Sequence, residues 1–246
     1  MYLDRPLNFA HQGASHEAPA NTLAAFLLAE ALGADGIEFD VQLTADGEVV
    51  VIHDFAVDAT TNGSGRVAEK TLAELKLLDA GHWFDADFAG QRIPTLTEVI
   101  DAVGDRLLLN IEMKMASLRD DGLAAAVART VADHGLLERV VVSSFNPVAL
   151  WRLRRHNPEI PTGLLYAPDL PPVLRRGWPR LLVRPDALHP YYTAVDEAYM
   201  RRAQRRGYRV NTWTVDDPGE MWRLARMGVD VVITNRPDLL TQVLWA

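Results

Sequence analysis

The sequence predicts a single α/β domain of the (βα)8 TIM barrel class, with a small subdomain inserted after the second strand. Three observations predict it. The chain has 246 residues, the usual size of one barrel and a poorer match to two ordinary domains. Short β-branched or apolar runs alternate with helical patterns almost from end to end. One connection, residues 55–92, far exceeds the usual spacing of about 2–6 residues between a strand and its helix. A doubly wound sheet is the alternative, because periodicity alone does not close a barrel.

Strands are expected near 7–11, 36–41, 106–113, 139–144, 161–166, 186–189, 208–213 and 230–234, with a further extended run from Val49 to His53. Asn21 is expected to cap the first helix, burying Leu23, Phe26, Leu27 and Ala31 and stopping at Gly33. Inside the long connection Thr61-Asn62-Gly63-Ser64-Gly65 has turn chemistry, and Thr71 with Glu74 forms a capping box opening a short helix. This segment is expected to cover one side of the barrel mouth. A second box, Thr95 with Glu98, follows Pro94. Helical patterns over Ala124–Ala132, Pro147–Arg155, Val195–Arg206 and Pro218–Met227 continue the alternation, while the fifth and eighth helices are not delimited by pattern. With no internal repeat, low-complexity tract or linker, residues 1–246 read as one domain containing the 55–92 insertion.

Apolar residues make up 48 % and charged residues 24 %, an ordinary globular composition. The net charge of −8 works against nucleic acids and anionic membranes as partners, so a small anionic substrate would need a local cation. The arginine pairs at 175–176, 201–202 and 205–206 read as solvated helix faces. The absence of cysteine excludes disulfides, thiolate nucleophiles and cysteine-based metal centres. The N-terminal residues lack a basic stretch followed by an apolar run, and no window reaches the ~20 apolar residues of a membrane span. No membrane insertion and a cytoplasmic location are therefore expected.

Chemistry concentrates at strand ends. In Ile37-Glu38-Phe39-Asp40-Val41, residues two apart share a face, so Glu38 and Asp40 point into the barrel while their apolar neighbours face the helices. The third strand repeats the pattern, with Asn110, Glu112 and Lys114 inward and Leu109, Ile111 and Met113 outward. Three converging carboxylates repel one another unless protonated or bridged by a cation. Hard oxygen ligands suggest Mg²⁺ or Ca²⁺, with Mn²⁺ also compatible. The alternative is a structural network neutralised by Lys114 and a nearby arginine. His11 and His53 end extended runs, where barrel enzymes place proton-transfer groups. His53-Asp54 also suggests a metal phosphatase motif, but that motif belongs on a helix and here it ends a strand. Lys114 could neutralise a phosphate oxygen or pair with Glu112. Trp213 shares a face with Asn211 and is a candidate pocket wall, as are Trp83, Phe84 and Tyr166.

Taken in order, these segments resemble the glycerophosphodiester phosphodiesterase family over nearly the whole chain. The resemblance runs from His11-Gln12-Gly13 and Glu17-Ala18-Pro19-Ala20-Asn21-Thr22 through Glu38-Phe39-Asp40-Val41 and Thr44-Ala45-Asp46-Gly47 to His53-Asp54. It continues through Thr60 to Gly65, Leu78-Asp79-Ala80-Gly81, Asn110-Ile111-Glu112-Met113-Lys114 and Ser144-Phe145-Asn146. Asn211 to Val215, Gly228-Val229-Asp230 and Thr234-Asn235-Arg236-Pro237 close the series. No single piece decides; the ordered set is specific.

The resemblance implies a barrel with an insertion after the second strand, and one Mg²⁺ or Ca²⁺ on Glu38, Asp40 and Glu112. It also implies acid–base histidines at His11 and His53, a phosphate contact from Lys114, and glycerol 3-phosphate plus an alcohol as products of a glycerophosphodiester. Two positions depart from the commoner pattern. Gln12 replaces an arginine that contacts phosphate, and Ala20 replaces a glutamate. The two read as an ion pair lost together, leaving Gln12 to offer phosphate an uncharged amide. In the implied reaction the glycerol 2-hydroxyl attacks phosphorus, with His53 as first base and His11 as first acid, and water then opens the cyclic phosphate. A lyase stopping at the cyclic product and a non-catalytic phosphodiester-binding barrel are the alternatives.

Overall fold

The computed structural model describes residues 5–115, 117–168, 170 and 180–245. Its strands are β1 (Leu7–His11), β2 (Gly36–Leu43), β3 (Val49–Val51), β4 (Leu108–Met113), β5 (Val140–Ser144), β6 (Thr162–Tyr166), β7 (Ala187–Pro190), β8 (Arg209–Thr212) and β9 (Val231–Thr234). Its helices are α1 (Leu23–Ala31), α2 (Leu72–Lys76), α3 (Leu96–Val103), α4 (Leu123–Asp133), α5 (Pro147–His156), α6 (Arg180–Val183), α7 (Glu197–Arg205), α8 (Pro218–Met227) and α9 (Pro237–Trp245).

Eight of the strands run parallel around a closed ring, β1-β9-β8-β7-β6-β5-β4-β2, and β1 pairs back onto β2 through Phe9 opposite Gly36. That pairing makes a TIM barrel rather than a doubly wound sheet. β3 stays outside the ring, antiparallel to the end of β2, with Val51 opposite Val41 and Val49 opposite Leu43. Strand alternation sorts the apolar residues into two cores. Ile37, Phe39, Val41, Leu109, Ile111 and Met113 pack outward in the helix-facing core, while Leu7, Phe9, Val231 and Ile233 form a separate cluster. The insertion and β3 share a third core of Val50, Ile52, Val57, Val67, Leu75, Ala80 and Ile93.

Both capping boxes form, Thr71 with Glu74 at α2 and Thr95 with Glu98 at α3. The first helix differs from expectation. Thr22 is its N-cap, and Asn21, at φ 59°, leaves the helix altogether. The buried stripe is then Thr22, Ala25, Phe26 and Ala29, while Leu27 is 47 % exposed and Ala31 is also exposed. β4 begins two residues late because the amides of Arg106 and Leu107 still bond back to the Val103 carbonyl at the end of α3. Tyr166 does not wall the barrel mouth, since its hydroxyl meets that of Tyr199 on α7, on the helix-facing side. Most of the segment expected to hold the fifth helix lies outside the described residues; α6 is its end, and α9 is the eighth helix. Among the described residues no helix is long and apolar enough to cross a membrane.

Candidate active site

Strand register assembles the acidic cluster. β2 and β4 pair so that Asp40 lies opposite Glu112 and Glu38 opposite Asn110. The three carboxylates offer oxygens within 4.8 Å of one another, at 4 %, 1 % and 7 % exposure for Glu38, Asp40 and Glu112. Lys114 Nζ stands 3.1 Å from Glu112 Oε1 and 3.6 Å from Asp40 Oδ1. One ammonium does not neutralise three carboxylates, and Glu38 Oε2 is buried with no hydrogen-bond partner. Burial first, then the charges of Asp40 and Glu112, push the Glu38 carboxyl well above its ordinary range. Burial and Asp40 likewise raise Glu112 to about 7. Burial works against the charge on Lys114, but Glu112 and Asp40 outweigh it and hold its pKa above the ordinary value. A compact set of hard oxygens with surplus negative charge and an orphaned oxygen fits a divalent cation.

Asp40 is fixed by the loop after β1. Gln12 Nε2 donates to its Oδ2 at 2.8 Å and Asn21 Nδ2 to the same oxygen at 3.0 Å. The loop turns sharply at Gln12 (φ 56°) and Gly13 (φ 84°), where a Cβ would come within 2.6 Å of the Ala25 backbone. The Gln12 amide, which from the sequence can offer phosphate an uncharged donor, here donates to a carboxylate.

The two histidines flank the cluster. His11 Nε2 lies 3.8 Å from Glu38 Oε2, and its Nδ1 lies 2.7 Å from Asn235 Oδ1. Asn235 Nδ2 donates to Asp216 Oδ2 at 2.6 Å. A carboxylate only accepts, so the Asn235 carbonyl must face His11, which places the imidazole proton on Nδ1 and leaves Nε2 bare. Burial lowers the pKa of His11, and the Asn235 hydrogen bond opposes this without prevailing. His53 Nδ1 lies 2.7 Å from Asp54 Oδ1, while Lys114 Nζ donates to its Nε2 at 3.1 Å. Gln42 Nε2 holds the chain at this point, donating to the carbonyls of Ile52, His53 and Asp54.

His11, Gln12, Glu38, Asp40, His53, Glu112 and Lys114 are therefore brought together. Trp213 stands apart, after β8, across the ring from β4. Its Nε1 donates to the His189 carbonyl at 2.9 Å, and it packs against the Leu7–Phe9–Val231–Ile233 cluster. Trp83 is exposed in the insertion, with its Nε1 donating to the Ala80 carbonyl. Asp216 and Asn235 are not singled out from sequence, and Asn21 is expected there only as a helix cap. Asn21 and Asn235 stood inside the family-like segments, but nothing local assigned them a partner.

An acidic cluster flanked by two histidines at the carboxyl ends of barrel strands is where barrel enzymes place their active sites, and its acids could hold a metal ion. Residues 11–239 match the glycerophosphoryl diester phosphodiesterase family. A glycerophosphodiester phosphodiesterase of Caldanaerobacter subterraneus subsp. tengcongensis is 42 % identical over 239 residues, 96 % of each chain. Another, from Bacillus subtilis, is 33 % identical and covers 98 % of this chain and 87 % of its own. Among solved structures, an Oleispira antarctica phosphodiesterase in complex with the product sn-glycerol-3-phosphate superposes with a TM-score of 0.88 at 31 % identity, covering 98 % of each chain. The chain belongs to the glycerophosphoryl diester phosphodiesterase family, and it is an enzyme of that phosphodiesterase class.

Proposed function

We propose that the protein hydrolyses small glycerophosphodiesters to glycerol 3-phosphate and an alcohol, with one divalent cation, Mg²⁺ or Ca²⁺, on Glu38, Asp40 and Glu112. One observation carries the reading: three buried carboxylates share a single neighbouring ammonium, Lys114, and Glu38 Oε2 has no partner. The glycerol 3-phosphate bound in the Oleispira relative supports the product class. A cation held there would offset phosphate charge and make a coordinated hydroxyl more acidic.

The remaining chemistry belongs to side chains. The bare Nε2 of His11 suits it to take the proton of the glycerol 2-hydroxyl, because burial keeps the imidazole neutral. The resulting oxygen attacks phosphorus, and the bond from phosphorus to the alcohol oxygen breaks. His53 gives that oxygen a proton from Nε2 once the Lys114 ammonium has moved from that nitrogen to the phosphate. Water then opens the cyclic phosphate with the two roles exchanged. This order reverses the one expected from sequence, and the reason is the burial of His11. Lys114, held charged by Glu112 and Asp40, offsets a phosphate oxygen. Gln12 acts through Asp40, and Trp213 walls the mouth.

The test is a chelated preparation reconstituted with Mg²⁺, Ca²⁺ or Mn²⁺ and assayed on glycerophosphodiesters of choline, ethanolamine, inositol and glycerol. Metal-dependent release of glycerol 3-phosphate is expected. Metal binding without release would leave a binding barrel, and a cyclic phosphate accumulating in the phosphorus NMR spectrum would make the enzyme a lyase.

A further inference from the structure

Across the ring from the acids, the mouth has an apolar half that the proposed chemistry leaves unused. Phe145 after β5, Ala167, Pro168 and Leu170 after β6, Tyr191 after β7 and Trp213 after β8 line a cleft of about 600 Å³. No charged side chain is among them. Trp213 links this cleft to the reaction centre, because it packs against the inner cluster that includes Phe9, which precedes His11 by two residues on the same inner face of β1. Its indole N–H is already committed to the His189 carbonyl. What the cleft presents to a ligand is mostly carbon.

We propose that this cleft is a subsite for a hydrocarbon chain carried by the glycerophosphodiester, so that chain-bearing substrates are preferred over those of small polar alcohols. The inference rests on the proposed function and names its substrate class. A quaternary ammonium fits less well. The rings of Phe145 and Tyr191 meet Trp213 edge to face, with centroids 5.4 and 5.3 Å away, so the three rings pack on one another rather than standing apart as separate walls around a cation. Among the described residues no carboxylate lines the cleft, and Ala167, Pro168 and Leu170 bound it with aliphatic surface. Apolar desolvation then supplies the affinity.

The direct test measures calorimetric affinity for methyl, butyl and hexyl phosphate in the presence of Mg²⁺. Affinity is expected to rise about two- to fourfold per methylene until the cleft is filled. Leu170→Asp should flatten that rise. Equal affinities from methyl to hexyl in the unaltered protein would overturn the proposal. Turnover then locates the chain. The glycerophosphodiester of hexanol and a monohexanoyl glycerophosphocholine, each compared with glycerophosphocholine, separate a chain on the alcohol from one on the glycerol. Glycerophosphocholine outrunning both would also overturn it. Failure of the proposed function shows differently, as no product from any diester while alkyl phosphate affinity still climbs with chain length.

Discussion

At the β1 edge of the mouth His11 is half-buried, and its Nδ1 meets a neutral amide, Asn235, which is itself held by Asp216. At the β3 edge His53 is exposed, and its Nδ1 meets a carboxylate, Asp54. Both rings turn Nε2 toward the acidic cluster, His11 to Glu38 and His53 to the ammonium of Lys114. One residue type is thus prepared in two ways. An amide partner in a desolvated place keeps an imidazole neutral, whereas an acceptor carboxylate at an open edge serves an imidazole that must gain and lose protons with solvent. In the proposed reaction this contrast suits His11 to proton removal and His53 to proton donation.

The largest effect should come from deleting either ring. His11→Ala and His53→Ala should each lower turnover by about 10²–10⁴-fold, while calorimetry finds metal affinity nearly unchanged. Either variant keeping most of its activity would remove that edge from the reaction. A smaller loss, about 10–10²-fold in kcat, is expected from Asn235→Ala, which frees the His11 ring and its tautomer. Asp54→Ala should cost less, since its partner sits on the adjoining residue at an exposed edge. Equal losses at Asn235 and Asp54, measured as kcat on one substrate, would erase the distinction between the edges.

The acids between the edges give a stability test. Glu112 is raised to about 7 in the fold, so the folded state binds its proton more tightly than the unfolded chain does. Its contribution is complete below about pH 4.5 and is lost as pH rises through about 7. Chelated protein should therefore melt at a lower temperature as pH climbs through that window, and Glu112→Gln should flatten the decline. Saturating divalent cation should reverse it by binding only the folded state. A melting temperature that rises across the window in chelated protein would contradict the repulsion inferred among the acids. The smallest expected effect is Gln12→Ala, a loss of about tenfold in metal affinity through a less firmly held Asp40, read by calorimetry.

The same contrast shows where sequence reasoning succeeds. Glu38, Asp40, Glu112 and Lys114 are legible because strand alternation alone turns them to one face, and His11 and His53 because each ends an extended run. Closure of the barrel was supported by the resemblance, whereas its register depends on β1 meeting both β2 and β9. The partner of His11 lies 224 residues away and reaches it only because that ring closes. The cap position at Asn21, which passes to Thr22, and the turn of Gln12 toward Asp40 are not legible for a related reason. Each residue stands at positive φ in a folded-back loop, and no local pattern gives the direction in which such a side chain points.

In the proposed reaction catalysis depends on one divalent cation site formed by Glu38, Asp40 and Glu112. Calorimetric titration of the chelated protein with Mg²⁺ and Ca²⁺, repeated on Glu38→Gln, tests that dependence at its source. One ion per chain is expected for the unaltered protein, and at least a hundredfold weaker binding after the substitution, about 3 kcal/mol. Unchanged binding in Glu38→Gln, or no binding of either ion to the unaltered chain, would contradict it.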